Sequence, residues 1–207
     1  MKKLVLASQS PRRQALLNQL GYHFSTLVAD IDETANFDEK PSDYVLRLAV
    51  QKAQAIFEQL PVQKQADTLV LGADTCVVND GQILGKPADE KQCLATLRQL
   101  SGKSHQVLTS IAVVGANIVV KKLITTQVNF KSLTTAEIQR YWQTGEPCDK
   151  AGSYAIQGIG GQFVTSINGS YSAVVGLPLY ETSQMLAKLG LPTSIQNIES
   201  NESMSGE

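Results

Sequence analysis

Ser8-Gln9-Ser10-Pro11-Arg12-Arg13 sets two hydroxyls and two guanidiniums where an apolar run of strand length, residues 3–8, gives way to a helix. A helix start has free N–H groups and positive dipole potential. Two arginines there are electrostatically misplaced for stability alone. They suit an anion held in front of the helix, where the guanidinium fork matches phosphate oxygens. The competing reading is a pair of solvated arginines behind a capping Ser10. Asp74 interrupts an apolar stretch, with Leu69-Val70-Leu71-Gly72-Ala73 before it and Val77-Val78 after. A carboxylate at the end of a buried strand is costly unless it is paired, hydrogen-bonded or bound to metal. Strand ends in α/β sheets are also where ligands collect, although a strand-end aspartate capping a turn would look the same. Lys52 shares the helical phase of Val45, Ala49 and Ile56, the buried side of its helix, so it either snorkels or meets an anion in a cleft. Lys86, between Gly85 and Pro87, reads on its own as a solvated lysine.

The acidic cluster Asp30-Ile31-Asp32-Glu33-Thr34 follows a strand and could hold a divalent cation through hard oxygen ligands, or form only a polar loop. It also resembles the short element of haloacid-dehalogenase-type phosphatases in which the first aspartate, here Asp30, is a nucleophile. No paired acidic motif near the C-terminal end accompanies it. Gly158-Ile159-Gly160-Gly161 lacks the strand-then-helix context of a dinucleotide fingerprint.

Strand-like runs at residues 3–8, 23–29, 68–72, 106–114, 118–131 and 162–167 must position these groups, with helical patterns between them. Ser10-Pro11 opens the first helix and Gly21 stops it. The pattern over 42–60 sets Val45, Leu48, Ala49, Ala53 and Ile56 on one stripe. Helices are also predicted over 89–100, 134–143 and 178–189. Asn79-Asp80-Gly81 is a hairpin signal, and 152–161 is a glycine-rich loop. Strands alternate with helices but hairpins intervene, which predicts an α/β protein with a mixed sheet. One domain is expected over 1–191, followed by a disordered, polar and acidic tail at 192–207.

The bulk properties narrow the function classes. At 207 residues and 43% hydrophobic the chain can bury a sizeable core. A net charge of -1 gives no reason to expect a nucleic-acid or membrane-surface partner. Cys76, Cys93 and Cys148 lack metal-ligand spacing and suit a reducing compartment. The run Leu4-Val5-Leu6-Ala7 is too short for a signal-peptide core, so a cytoplasmic location is expected. Oligomeric state is open, a homodimer included.

Together these segments resemble the Maf family, also called septum formation inhibitor proteins. The resemblance runs from Leu4 to about Leu189. Its motifs are Ser8-Gln9-Ser10-Pro11-Arg12-Arg13, Asp32-Glu33-Thr34, Gly72-Ala73-Asp74-Thr75, Ile83-Leu84-Gly85-Lys86-Pro87, Ser101-Gly102-Lys103-Ser104-His105 and Asp149-Lys150-Ala151-Gly152-Ser153-Tyr154. Asn168-Gly169-Ser170-Tyr171 and Val175-Gly176-Leu177-Pro178 complete it. Each motif alone is weak; all of them in this order are specific. Within the family, Asp149-Lys150-Ala151-Gly152 and Ile156-Gln157-Gly158 resemble the dTTP/UTP branch. The chain departs from the usual pattern at Cys76, where Val or Ile is commoner, and at Ala155, where Gly is commoner.

The resemblance implies a fold related to inosine triphosphate pyrophosphatases, with two lobes around a cleft. It implies hydrolysis of a nucleoside triphosphate between its α- and β-phosphates, with Mg²⁺ or Mn²⁺ as cofactor. On that reading Arg12, Arg13, Lys52 and Lys86 offset phosphate charge, with Ser8 and Lys150 also on the substrate. Glu33 and Asp74 hold the metal, and Asp74 is the general base. Arg12, Thr75 and Gln157 lie near the base, where the Gln157 amide can both donate and accept. Two rivals stand beside this one: a nucleotide-sensing module that restrains division, and a phosphatase built on Asp30.

Overall fold

Strand β3 (Thr68–Asn79) organises the molecule, because its 12 residues are buried along almost their whole length. The computed structural model describes residues 2–196, so residues 197–207 of the expected tail lie outside the described residues. The chain order is β1 (Lys3–Ala7), α1 (Pro11–Gln19), β2 (Phe24–Leu27), α2 (Pro41–Gln59), α3 (Val62–Gln65), β3 and β4 (Gln82–Leu84). It continues through α4 (Glu90–Leu100), β5 (Ser104–Gly115), β6 (Ile118–Phe130), α5 (Thr135–Gln143), β7 (Val164–Asn168), α6 (Tyr171–Val175) and α7 (Leu179–Lys188). The strands form one sheet in the order β2-β1-β3-β5-β6-β7, with β4 also paired to β3. The β1–β2 and β1–β3 pairs are parallel and all others antiparallel, which makes the mixed sheet that the inserted hairpins predict.

Local sequence explains most of these elements. Asp80 and Gly81 both have positive φ, 49° and 79°, as the two-residue turn joining β3 to β4 requires. Thr134 and Glu137 form a reciprocal capping box at the start of α5, and Asp89 caps α4 through the Gln92 N–H. Ser10 differs from expectation. Its side chain caps nothing; its backbone N–H instead donates to Ser8 Oγ at 3.2 Å. Pro11 at the first helical position starts α1 without it. The short helices α3 and α6 were not predicted.

Alternation along β3 divides the core. Gly72, Asp74, Cys76 and Val78 face α2, where Val5, Ala53, Ile56 and Val70 form one cluster and Val45, Cys76, Val78 and Leu108 another. On the opposite face, Leu71 and Ala73 pack with Leu17 of α1 and Leu186 of α7. Farther along that face, Val77 packs with Leu97 of α4 and Ile138 and Tyr141 of α5. The start of α1, Lys52 of α2, the end of α6 and the segment 149–157 border a cleft beside β3.

Candidate active site

Asp74 lies in the middle of β3, not at a strand end as the sequence suggests. Its main chain is registered against Ser110 of β5, so the strand continues through it. The other edge of β3 explains the cleft. There β1 pairs only as far as Leu71, and β4 begins at Val77. Residues 72–76 therefore have a free edge between two partners. Neighbouring side chains of this segment point to opposite faces, so one strand supplies a carboxylate to one side and a hydroxyl to the other.

On the α2 face, Lys52 Nζ lies 2.7 Å from Asp74 Oδ1 and 2.8 Å from Glu33 Oε1. The Lys52 helical phase thus leads to an anion, supplied by the protein itself. The Asp74 side chain is 9% exposed while that of Glu33 is 54% exposed, so the lysine bridges a buried carboxylate and a solvated one. Burial raises the pKa of Asp74 above its usual range; Lys52 and Arg13 pull it back, and Glu33 adds to the rise. Gly72 permits this contact. A Cβ there would stand 2.2 Å from Ala49 O and 2.9 Å from Ala53 N, so α2 lies directly against the strand backbone one turn from Lys52. The Ser110 hydroxyl donates to the Val45 carbonyl and ties the helix to β5.

Arg13 occupies the opposite face. Its Nε donates to Gly176 O at 2.9 Å, and its two terminal nitrogens lie 3.4 Å from Ser8 Oγ and Thr75 Oγ1. The Thr75 hydroxyl is also 3.1 Å from that of Thr109, which donates to Ala173 O. Burial lowers the Arg13 pKa and Asp74 opposes that shift, yet a guanidinium stays charged. Arg13 is thus tied into the wall, and neighbouring Arg12 also lines the cleft.

The cleft has a volume of about 500 Å³, within the range of ligand pockets. All ten residues nominated from the sequence line it: Ser8, Arg12, Arg13, Glu33 and Lys52 from the first half of the chain, with Asp74, Thr75, Lys86, Lys150 and Gln157. Lys86 gains a context it lacked alone. Gly152 N–H donates to Gly85 O at 3.1 Å, which brings the loop after β4 beside the turn that bears Lys150. The Lys150 ammonium pairs with Asp149, and both line the cleft. Asp149 and Tyr154 escaped nomination because neither type is diagnostic alone. Asp30 is exposed and lies outside this lining. The two departures at Cys76 and Ala155 are both buried, and burial pushes the Cys76 thiol up to about 12, which keeps it protonated.

The Maf-like protein family matches residues 3–189, which spans the whole of this constellation. The chain belongs to the Maf family. A Colwellia psychrerythraea member named dTTP/UTP pyrophosphatase is 61% identical over 94% of this chain and 92% of its own. A Pseudoalteromonas atlantica protein of the same name is 56% identical over 91% of this chain and 97% of its own. One from Vibrio vulnificus is 55% identical over 90% and 98%. Among solved structures, the Staphylococcus aureus Ham1 protein superposes with a TM-score of 0.41 at 16% identity, covering 62% of this chain and 71% of that one.

Proposed function

We propose that this Maf protein is a nucleoside triphosphate pyrophosphatase that converts dTTP and UTP to the monophosphate and pyrophosphate. The observation that carries the reading is the cleft itself. It combines Arg12, Arg13, Lys86 and Lys150 with a buried carboxylate, Asp74, in one space of nucleotide size. Relatives named dTTP/UTP pyrophosphatase, at 55–61% identity across nearly their full lengths, support the choice of base.

The residues divide the work. Arg12, Lys86 and Lys150 offset the triphosphate charge, and Ser8 offers a hydroxyl beside them. Arg13, fixed by Gly176 and Thr75, presents a preoriented guanidinium; charge placed in advance favours the phosphoryl transition state. Asp74 accepts a proton from the attacking water as oxygen bonds to the α-phosphorus. The bond from that phosphorus to the bridging oxygen breaks, and pyrophosphate leaves. The elevated pKa of Asp74 makes it a stronger base than an ordinary aspartate.

Glu33 and Asp74 would hold a divalent cation through the carboxylate oxygens that Lys52 leaves unpaired, since the ammonium lies against only Oε1 of Glu33 and Oδ1 of Asp74. Magnesium commonly takes one or two carboxylates and completes its shell with water and phosphate oxygens, so two suffice. A bound Mg²⁺ or Mn²⁺ supplies neutralisation of the developing phosphate charge.

Gln157 reads the base. Thymine and uracil share a ring N–H between two carbonyls, and one amide can satisfy a donor and an acceptor of that edge. With the amide's orientation fixed by backbone groups of the Gly158 loop, cytosine reverses part of this pattern and leaves a polar group unpaired in the complex, at a cost of about 1–3 kcal/mol. Discrimination of roughly tenfold to over a hundredfold follows. The test is kcat/KM for dTTP, UTP, CTP and GTP under matched Mg²⁺. A preference for dTTP and UTP is expected, and Gln157→Glu should impair both. A preference for CTP or a purine nucleotide would overturn the assigned base.

A further inference from the structure

Gln157 sits on a short loop between two 3-10 helices, Ala151–Ser153 and Ile159–Phe163, and that loop is tied at both ends to one pair of side chains. Ala155 N–H donates to Tyr141 Oη at 3.2 Å. Ile159 N–H donates to Glu146 Oε2 and Gly160 N–H to Glu146 Oε1, each at 2.8 Å. Tyr141 Oη closes the bracket by donating to Glu146 Oε1 at 2.7 Å. Glu146 itself does not line the cleft, so it serves the loop and does not touch the ligand space.

The glycines of this loop fit the bracket. A Cβ on Gly158 would fall 2.2 Å from Glu146 Oε2, and one on Gly160 would fall 2.5 Å from Tyr141 Oη. Real Cβ atoms do not approach so closely, so both positions are shaped to admit the carboxylate and the phenol. Tyr141 is 2% exposed and packs edge-on against Phe163 at 4.9 Å, so the bracket is anchored in the core. Burial alone would raise the Glu146 pKa. Hydrogen bonds from Gly160, Tyr141 and Ile159 outweigh it and leave the group lowered, so it stays ionised and acceptor-only.

We propose that Glu146, backed by Tyr141, is a positioning residue for base specificity, holding the Ala155–Gly160 loop so that Gln157 meets the nucleobase edge. The inference rests on the pyrophosphatase reading above. Replacing the carboxylate by an amide puts an N–H₂ against backbone donors and opens one side of the bracket. The loop then loses its fixed distance from the cleft, while the phosphate-binding Arg12 and Arg13 of α1 and Lys86 keep theirs, and Lys150 stays placed by the Gly152–Gly85 hydrogen bond.

Glu146→Gln separates this role from a structural one. For dTTP and UTP, KM should rise about tenfold, as expected when one buried polar partner is lost, with kcat changed by less than about threefold. The dTTP to CTP ratio of kcat/KM should shrink. Inhibition by inorganic triphosphate, which has no base, should be unchanged. Tyr141→Phe should move the same quantities in the same direction and provides the test if Glu146→Gln does not fold. A folded variant whose KM and dTTP to CTP ratio match the parent would overturn the inference. If the parent releases no pyrophosphate from dTTP, the underlying reading fails instead.

Discussion

Lys52 and Asp74 meet at 2.7 Å across the interface between α2 and β3, each almost withdrawn from solvent. Breaking such a pair by removing one partner leaves a buried charge unpaired. The pair therefore links the integrity of this interface to the charge state of the site.

Asp74→Asn should lower turnover by about 10²–10⁴-fold, the usual loss for a general base, while the protein still melts cooperatively. The sign of the stability effect follows from the pKa. A carboxyl raised by burial contributes stability that is full below the ordinary carboxylate range and is lost as pH rises through the raised value. Removing the ionisable group should therefore flatten the pH dependence of stability in that window. Pyrophosphate release and thermal melts from pH 4 to 8 check both effects, and parent-like turnover in folded protein would refute the assignment.

Lys52→Ala should lose activity and shift the acidic limb of kcat/KM to higher pH. Lys52 lowers the Asp74 pKa, so its removal raises that value further and more alkaline conditions are needed to ionise the base. A pH–rate profile reads this directly. A variant with reduced melting temperature but an unmoved limb and full activity per folded molecule would make Lys52 a packing residue only.

The sequence exposed this relationship unevenly. The phase of Lys52 with Val45, Ala49 and Ile56 was legible because a long amphipathic helix fixes direction from spacing alone. Asp74 was recognisable as an unusual carboxylate, but a polar pair after an apolar run looks like a strand end. Only the register with β5 shows the strand passing through, and only the gap between β1 and β4 shows why a cleft opens there. The role argued for Glu146 depends on loop closure across Gly158 and Gly160, which no local pattern announces. Helices α3 and α6, of 4 and 5 residues, are too short to show a helical period.

Gly72→Ala should cost about 1–3 kcal/mol, the usual penalty for overpacking, because the new Cβ meets the backbone of α2 and not a side chain that can turn aside. It should also depress turnover, since Lys52 lies on the helix that must move. Denaturant melts with parallel assays test the coupling; a stable variant with full activity would show that α2 does not set the site geometry.

Asp30→Asn should retain substantial activity, because Asp30 is exposed and outside the cleft lining. Acid quenching during turnover with γ-labelled substrate, followed by peptide mapping, checks for a phosphoenzyme. Label recovered on Asp30 would restore the phosphatase reading.

The most direct test of the central claim is product identity. Purified protein incubated with dTTP and Mg²⁺ or Mn²⁺ should yield dTMP and pyrophosphate in equal amounts, resolved by anion-exchange chromatography, with no accumulation of dTDP. Orthophosphate with dTDP, or no turnover of dTTP or UTP at all, would contradict it.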